Sequence, residues 1–246
     1  MGLLGIIGGS GFTALPETEI VDRQRVETPY GAPSAELLTL RHDGQEFRFL
    51  PRHGADHGIP PHAINYRANI QALCDSGVTQ IVALGAVGGI ADDCGPLRLC
   101  VPDQLIDYTW GRPSTYFDGA GGDVVHVDFS APFAQVLRER LLASAQGLGL
   151  DPRDGGTYAV TQGPRLETAG EIRRLERDGC DLVGMTAMPE AVLARERALD
   201  YALLAFVVNW AAGKREGEVG MGEIRANLVR CQDSVRRLLL AFVAAA

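Results

Sequence analysis

The sequence predicts an α/β fold: one domain over residues 1–246, with a parallel or mixed central sheet flanked by helices. Three observations predict it. Short apolar runs at 3–7, 79–84 and 201–208 alternate with longer amphipathic stretches. Of 246 residues, 46% are hydrophobic and 22% charged, enough for one sizeable core. The apolar runs end in small or polar loops that can converge at one edge of a sheet.

Residues 3–7 read as a central strand entering Gly8-Gly9-Ser10-Gly11. The glycines allow a tight turn with N–H groups aimed at an anion, and Ser10 adds a hydroxyl. No Lys follows, so this is not a Walker loop, and the dinucleotide spacing is absent. The run has no basic flank, so it is a strand and not a signal peptide. Residues 35–40 and 46–50 flank Asp43-Gly44, a hairpin signal. The second strand runs into Pro51-Arg52-His53-Gly54, a cationic pair directly after a buried strand. A helix over 63–75 stops at Gly77. The strand 79–84 leads to a small-residue turn, Gly85-Ala86-Val87-Gly88-Gly89.

A strand at 104–107 precedes a long loop, 109–124, rich in Gly, Pro and aromatics, which suggests a lid or a subunit contact. His126 follows it. A helix over 132–146 comes next, then a strand at 157–161. The segment Gln162-Gly-Pro-Arg-Leu-Glu-Thr168 joins that strand to a helix over 171–177. A strand at 181–184 enters a helix over 188–199 through Met185-Thr186-Ala187. Pro189 suits the helix's first turn, where its missing N–H costs nothing. Free N–H groups at this junction favour an anion. The strand 201–208 ends in Asn209-Trp210-Ala211. A polar loop over 213–220 then leads to a long helix, 221–243.

The formal net charge is −8, and no Lys/Arg cluster marks a nucleic-acid footprint. The five cysteines, Cys74, Cys94, Cys100, Cys180 and Cys231, are odd in number and have no C-x-x-C spacing. A reducing, cytoplasmic compartment fits them better than a disulfide framework. His53, His57 and His62 lie in a Gly/Pro-rich loop without a carboxylate frame, so no metal site is expected. No run approaches the length of a membrane span.

Taken together, the segments Gly8-Gly-Ser-Gly11, Pro51-Arg-His-Gly54, Gly85-Ala86, Asp103-Gln-Leu-Ile-Asp107, Tyr116-Phe-Asp-Gly119, Gln162-Gly-Pro-Arg165 and Gly184-Met-Thr-Ala-Met-Pro-Glu190 resemble the trimeric purine nucleoside phosphorylases. Within that superfamily they resemble the 5′-methylthioadenosine phosphorylase branch, over essentially the whole chain. The resemblance implies a mixed sheet with some barrel character, wrapped by helices, and a homotrimer with shared active sites. It also implies reversible phosphorolysis of a purine nucleoside, with inorganic phosphate as co-substrate and no cofactor. By match, Ser10, Arg52, His53, the Ala86 N–H and Thr186 form a phosphate cradle. Met185 lies under the ribose, and His126 reaches a neighbouring subunit's site. Val87, Gly88 and Leu166 count among the substrate contacts. His53 and Asn209 are the expected catalytic groups.

Adenosine-type members of the branch carry an acidic pair where this chain has Asn209 and Ala211. A 6-amino group donates and suits a carboxylate, whereas a 6-oxo group accepts and suits an amide N–H. Leu166-Glu167-Thr168 resembles the 6-oxopurine phosphorylases, whose glutamate accepts the purine N1–H. The expected substrate is therefore S-methyl-5′-thioinosine, giving hypoxanthine and 5-methylthioribose 1-phosphate. Inosine or guanosine comes second and 5′-methylthioadenosine third. A catalytically dead nucleoside-binding module ranks low, because it would lose phosphate ligands first.

Overall fold

The computed structural model describes residues 2–119, 122 and 124–245. Its strands are β1 (Leu3–Gly8), β2 (Glu19–Gln24), β3 (Leu37–His42), β4 (Gln45–Pro51), β5 (Val78–Gly89), β6 (Leu99–Val101), β7 (Gln104–Asp107), β8 (Arg153–Asp154), β9 (Thr157–Val160), β10 (Leu182–Gly184) and β11 (Asp200–Trp210). The helices are α1 (Tyr66–Asp75), α2 (Gln135–Gly147), α3 (Ala169–Arg177), α4 (Ala187–Glu196) and α5 (Met221–Ala244).

The apolar run at the N-terminus becomes β1 and pairs in parallel with both β4 and β5. The expected hairpin is β3–β4, antiparallel through Asp43-Gly44. All the strands join one eleven-stranded mixed sheet. Part of it closes on itself. β5 pairs with β11, and β11 pairs with β6. β6 and β7 run on one line past Pro102, beside β8 and β9. β9 pairs with β10, which returns to β5. This ring is the barrel character that the resemblance implies.

Alternation along the two longest strands fills both faces. Ile81, Ala83, Tyr201, Leu203, Ala205 and Val207 point to the side packed by α1 and α4. Val82, Leu84, Ala202, Leu204, Phe206 and Val208 point to the side packed by α2 and α5.

The structure departs from expectation at Gly85-Gly89. These residues are not a turn; β5 continues through them beside β11 as far as Trp210. Ladder hydrogen bonds to a largely buried neighbour outweigh the weak strand propensity of glycine. The glycines serve close packing instead: a Cβ on Gly89 would stand 1.7 Å from the Cys94 carbonyl oxygen. Helix ends shift too. α1 starts at Tyr66 because the Asn65 side chain caps it by accepting from Ala68 N–H. Met188 is non-helical (φ −116°, ψ 135°), so the regular part of α4 begins at Pro189. The loop 109–124 lies partly outside the described residues.

Candidate functional site

On one edge of β5, the partner strand changes. β1 pairs only as far as Ala83, and β10 takes over at Gly88. Between them, Leu84–Val87 has no strand on that side. Ligand crevices of α/β sheets form where neighbours diverge in this way. Here a cavity of about 350 Å³ opens, lined by Leu84 to Gly88 together with Ser10, Arg52, His53, His57, Leu166, Glu167, Met185, Thr186 and Asn209. The structure thus collects, from six separate chain segments, most of the residues singled out in the sequence.

At one end of the cavity stands Arg52, 1% exposed. Its position follows from β4, whose last residue pairs with Gly8 of β1. Close approach demands Gly9, where a Cβ would lie 2.5 Å from Leu84 O and 3.1 Å from an Arg52 Nη. Arg52 Nε and Nη2 donate to the two carboxylate oxygens of Glu190 at 2.7 and 2.8 Å, and Nη1 donates to Leu84 O at 2.8 Å. Of its five N–H donors, these three contacts leave two. Burial opposes the charge on Arg52, but Glu190 outweighs it and holds the pKa above the ordinary value.

His53 is buried beside it and donates Nδ1–H to Ile59 O at 2.8 Å. A carbonyl only accepts, so the neutral ring keeps Nε2 as an acceptor. Burial, with Arg52 adding to it, lowers the His53 pKa from 6.5 to about 4. The ring of His57 lies 4.7 Å from that of His53, and its Nε2 sits 3.1 Å from Ser10 Oγ. Thr186, at the N-cap of α4, makes no capping bond with its side chain. The residue lines the cavity.

The shift at His53 has a consequence for stability. The unfolded chain takes up this proton near pH 6.5, the folded one near 4. Between those values the unfolded state binds more protons, so stability falls as pH drops through that window. A difference of this size corresponds to about 3 kcal/mol at most. Thermal melts between pH 7.5 and 4 should show a steeper loss in the wild type than in His53→Gln. Parallel curves would contradict the assignment.

At the other end are Asn209 and Glu167. β11 carries an irregularity between Val207 and Asn209, which pair with Val87 and Gly88. Such a bulge re-aims a side chain. Asn209 is 8% exposed, and its Nδ2 donates one proton to Trp210 O at 2.8 Å. One N–H and the side-chain oxygen remain. Glu167 accepts from Thr161 Oγ1 at 2.6 Å, and burial raises its pKa. It also borders a second cavity of about 470 Å³, lined by Tyr108, Trp110, Arg165 and Arg174.

Two expected site residues are not in the lining. Ala211 packs behind it, 3% exposed, among Ile90, Ala159, Ile172, Leu175, Cys180 and Val183. His126 is exposed on this chain's surface. Two residues that sequence reasoning missed are Glu190 and Tyr201, whose hydroxyl donates to Glu190 at 2.8 Å. One signal was available: Glu190 shares a helix face with Leu193 and Ala194, both fully buried. An acid on such a face needs a cation. Among the described residues, no group of three or more His, Cys, Asp or Glu side chains is arranged to hold a metal ion. No helix among them is long and apolar enough to cross a membrane.

Comparison with known proteins agrees with this geometry. The chain is 50% identical over 237 residues to a "Probable S-methyl-5'-thioinosine phosphorylase" of Xanthomonas campestris pv. campestris, covering 96% of this chain and 95% of the relative. It is 41% identical to a "6-oxopurine nucleoside phosphorylase" of Pyrococcus furiosus, over 98% and 91% of the two chains. Its fold superposes on methylthioadenosine phosphorylase from Schistosoma mansoni in complex with adenine with a TM-score of 0.93, at 33% identity, covering 100% of this chain and 92% of that one. The sequence model of the phosphorylase superfamily matches residues 3–244, and the chain belongs to that superfamily.

Proposed function

We propose that the protein cleaves S-methyl-5′-thioinosine with phosphate, giving hypoxanthine and 5-methylthioribose 1-phosphate. The observation that carries this reading is one cavity with Arg52, His53, Ser10 and Thr186 at one end and Asn209 with Glu167 at the other. The first group, with the Ala86 N–H, forms the phosphate cradle. Met185 lies under the ribose. Phosphate attacks C1′ while the glycosidic bond breaks through an oxocarbenium-like transition state, as in glycoside cleavage. The bond's electrons pass to the purine. The free N–H of Asn209 stabilises that charge at O6 or N7. Glu167, positioned by Thr161, accepts the N1–H of a 6-oxopurine. Neutral His53 accepts a phosphate O–H, which leaves the nucleophile anionic.

The 5′ preference has its own support. α5 turns Met221, Ile224 and Leu228 toward the same cavity. Apolar surface suits a methylthio group better than a hydroxyl. The reading includes a homotrimer in which His126 serves a neighbour's site, a cytoplasmic location and no cofactor.

The test is turnover of methylthioinosine, methylthioadenosine, inosine and guanosine with phosphate present. Methylthioinosine should have the highest kcat/KM, and no base should be released without phosphate. A preference for methylthioadenosine would overturn the substrate assignment. Sedimentation should give a trimer, and a chelator should leave activity intact; a fully active monomer would contradict the assembly.

A further inference from the structure

Among the described residues lining the cavity, Arg52 is the only arginine or lysine. Its counter-charge is not in the cavity. Glu190 lies behind it, 0% exposed, with both carboxylate oxygens engaged: one by Arg52 Nε, the other by Arg52 Nη2 and the Tyr201 hydroxyl. Tyr201 is itself buried in β11. A fully buried ion pair is a weak source of stability compared with apolar packing of the same volume. Its placement directly behind the anion end of the cavity points to another role.

We propose that Glu190 is a positioning residue that cancels most of the Arg52 charge, so that phosphate is held by directed donors and not by a net cation. This rests on the assignment of Arg52 to the phosphate cradle. Free phosphate carries its full charge, and in the transition state part of it passes to the ribosyl centre. An uncompensated buried cation would therefore stabilise the ground state more than the transition state. It would tighten phosphate binding and slow the chemistry. With Glu190 in place, the guanidinium still offers two N–H donors in a fixed plane, but the pair as a whole is close to neutral. The carboxylate also locks the guanidinium plane through two parallel hydrogen bonds. Tyr201 fixes the carboxylate in turn.

The test is Glu190→Gln, which keeps the shape and removes the charge. Phosphate KM should fall about tenfold and kcat by at least the same factor, with the nucleoside KM little changed. Phosphate should also raise the Tm of Glu190→Gln more than that of the wild type, at matched ionic strength in chloride. Should the variant prove unstable, it is expected to be recovered folded from phosphate and not from chloride; recovery indifferent to phosphate overturns the proposal. Glu190→Asp retains the charge, so its phosphate KM should be at or above the wild-type value. A lowered KM there, or an unchanged or raised one in Glu190→Gln, also overturns it. Arg52→Lys separates the phosphate cradle from the role of Glu190. If Arg52→Lys leaves phosphate KM unchanged, the cradle assignment fails. If it raises phosphate KM while Glu190→Gln does not lower it, only the role of Glu190 fails.

Discussion

Replacing Arg52 by Ala will cost the protein both stability and phosphate use. Among the described residues, the guanidinium is the sole charged partner of Glu190, which has no exposure to solvent. Its removal leaves a buried carboxylate uncompensated, a loss of roughly 3–5 kcal/mol. For a chain of this length that corresponds to a Tm lower by roughly 10 °C. The proposed contact to phosphate is charge-assisted and worth roughly 1.5–3 kcal/mol, so kcat/KM for phosphate should fall about 10- to 100-fold beyond any loss of folded protein. The two effects are read separately, by thermal melts and by phosphate titration of the folded fraction. A variant with normal Tm and normal phosphate kinetics would refute both the pairing and the cradle.

The contrast between Arg52 and Glu190 explains what was legible in the sequence. Arg52 stands out because a cation after a buried strand is chemically odd, and local sequence is enough to notice it. Glu190 follows Pro189 at the start of a helix, where an acid is ordinary. Its importance depends on a contact across 138 residues of chain, which no local pattern encodes. The same distinction applies to the fold. β1 and β11 are largely apolar and β4 follows an Asp-Gly turn, so all three were legible. β2 is exposed at every position, β8 has two residues, and β6 has three. These strands exist because an edge is available to pair with, and pairing is non-local. Gly85 to Gly89 misled for a related reason. Glycine weakens a strand in isolation, but here β11 supplies the ladder, and the lack of side chains lets Cys94 and Val183 approach. The chemistry of the site was therefore easier to read than its walls. Functional side chains were unusual for their local context, whereas Ala211 looked like a base-reading position only by alignment with a family pattern, and its neighbours are core.

That placement of Ala211 alters the experiment on base choice, where the largest change in specificity is expected. In Asn209→Asp the new carboxylate faces O6 of a 6-oxopurine, acceptor against acceptor. It also faces Trp210 O, to which Asn209 now donates. The first loss is specific to the base; the second is suffered with any substrate. A mismatched polar contact in a buried site can cost a factor of about 10⁴, so kcat/KM for methylthioinosine should drop by about 10³–10⁴. Methylthioadenosine, whose 6-amino group donates to a carboxylate, should lose far less. The ratio of the two is the diagnostic quantity, because disorder at Trp210 lowers both equally. Adding Ala211→Asp would not simply restore an adenine-type acidic pair. It sets a charge among Ile172, Leu175, Cys180 and Val183, and burying an unpaired carboxylate there should cost several kcal/mol of stability, of the order seen for unpaired buried charges. The double variant should therefore melt well below Asn209→Asp, and the single variant is the cleaner probe. Full reversal is not expected in either, since Glu167 has no N1–H to accept from an adenine. An unchanged ratio in Asn209→Asp would show that this side chain does not read the base.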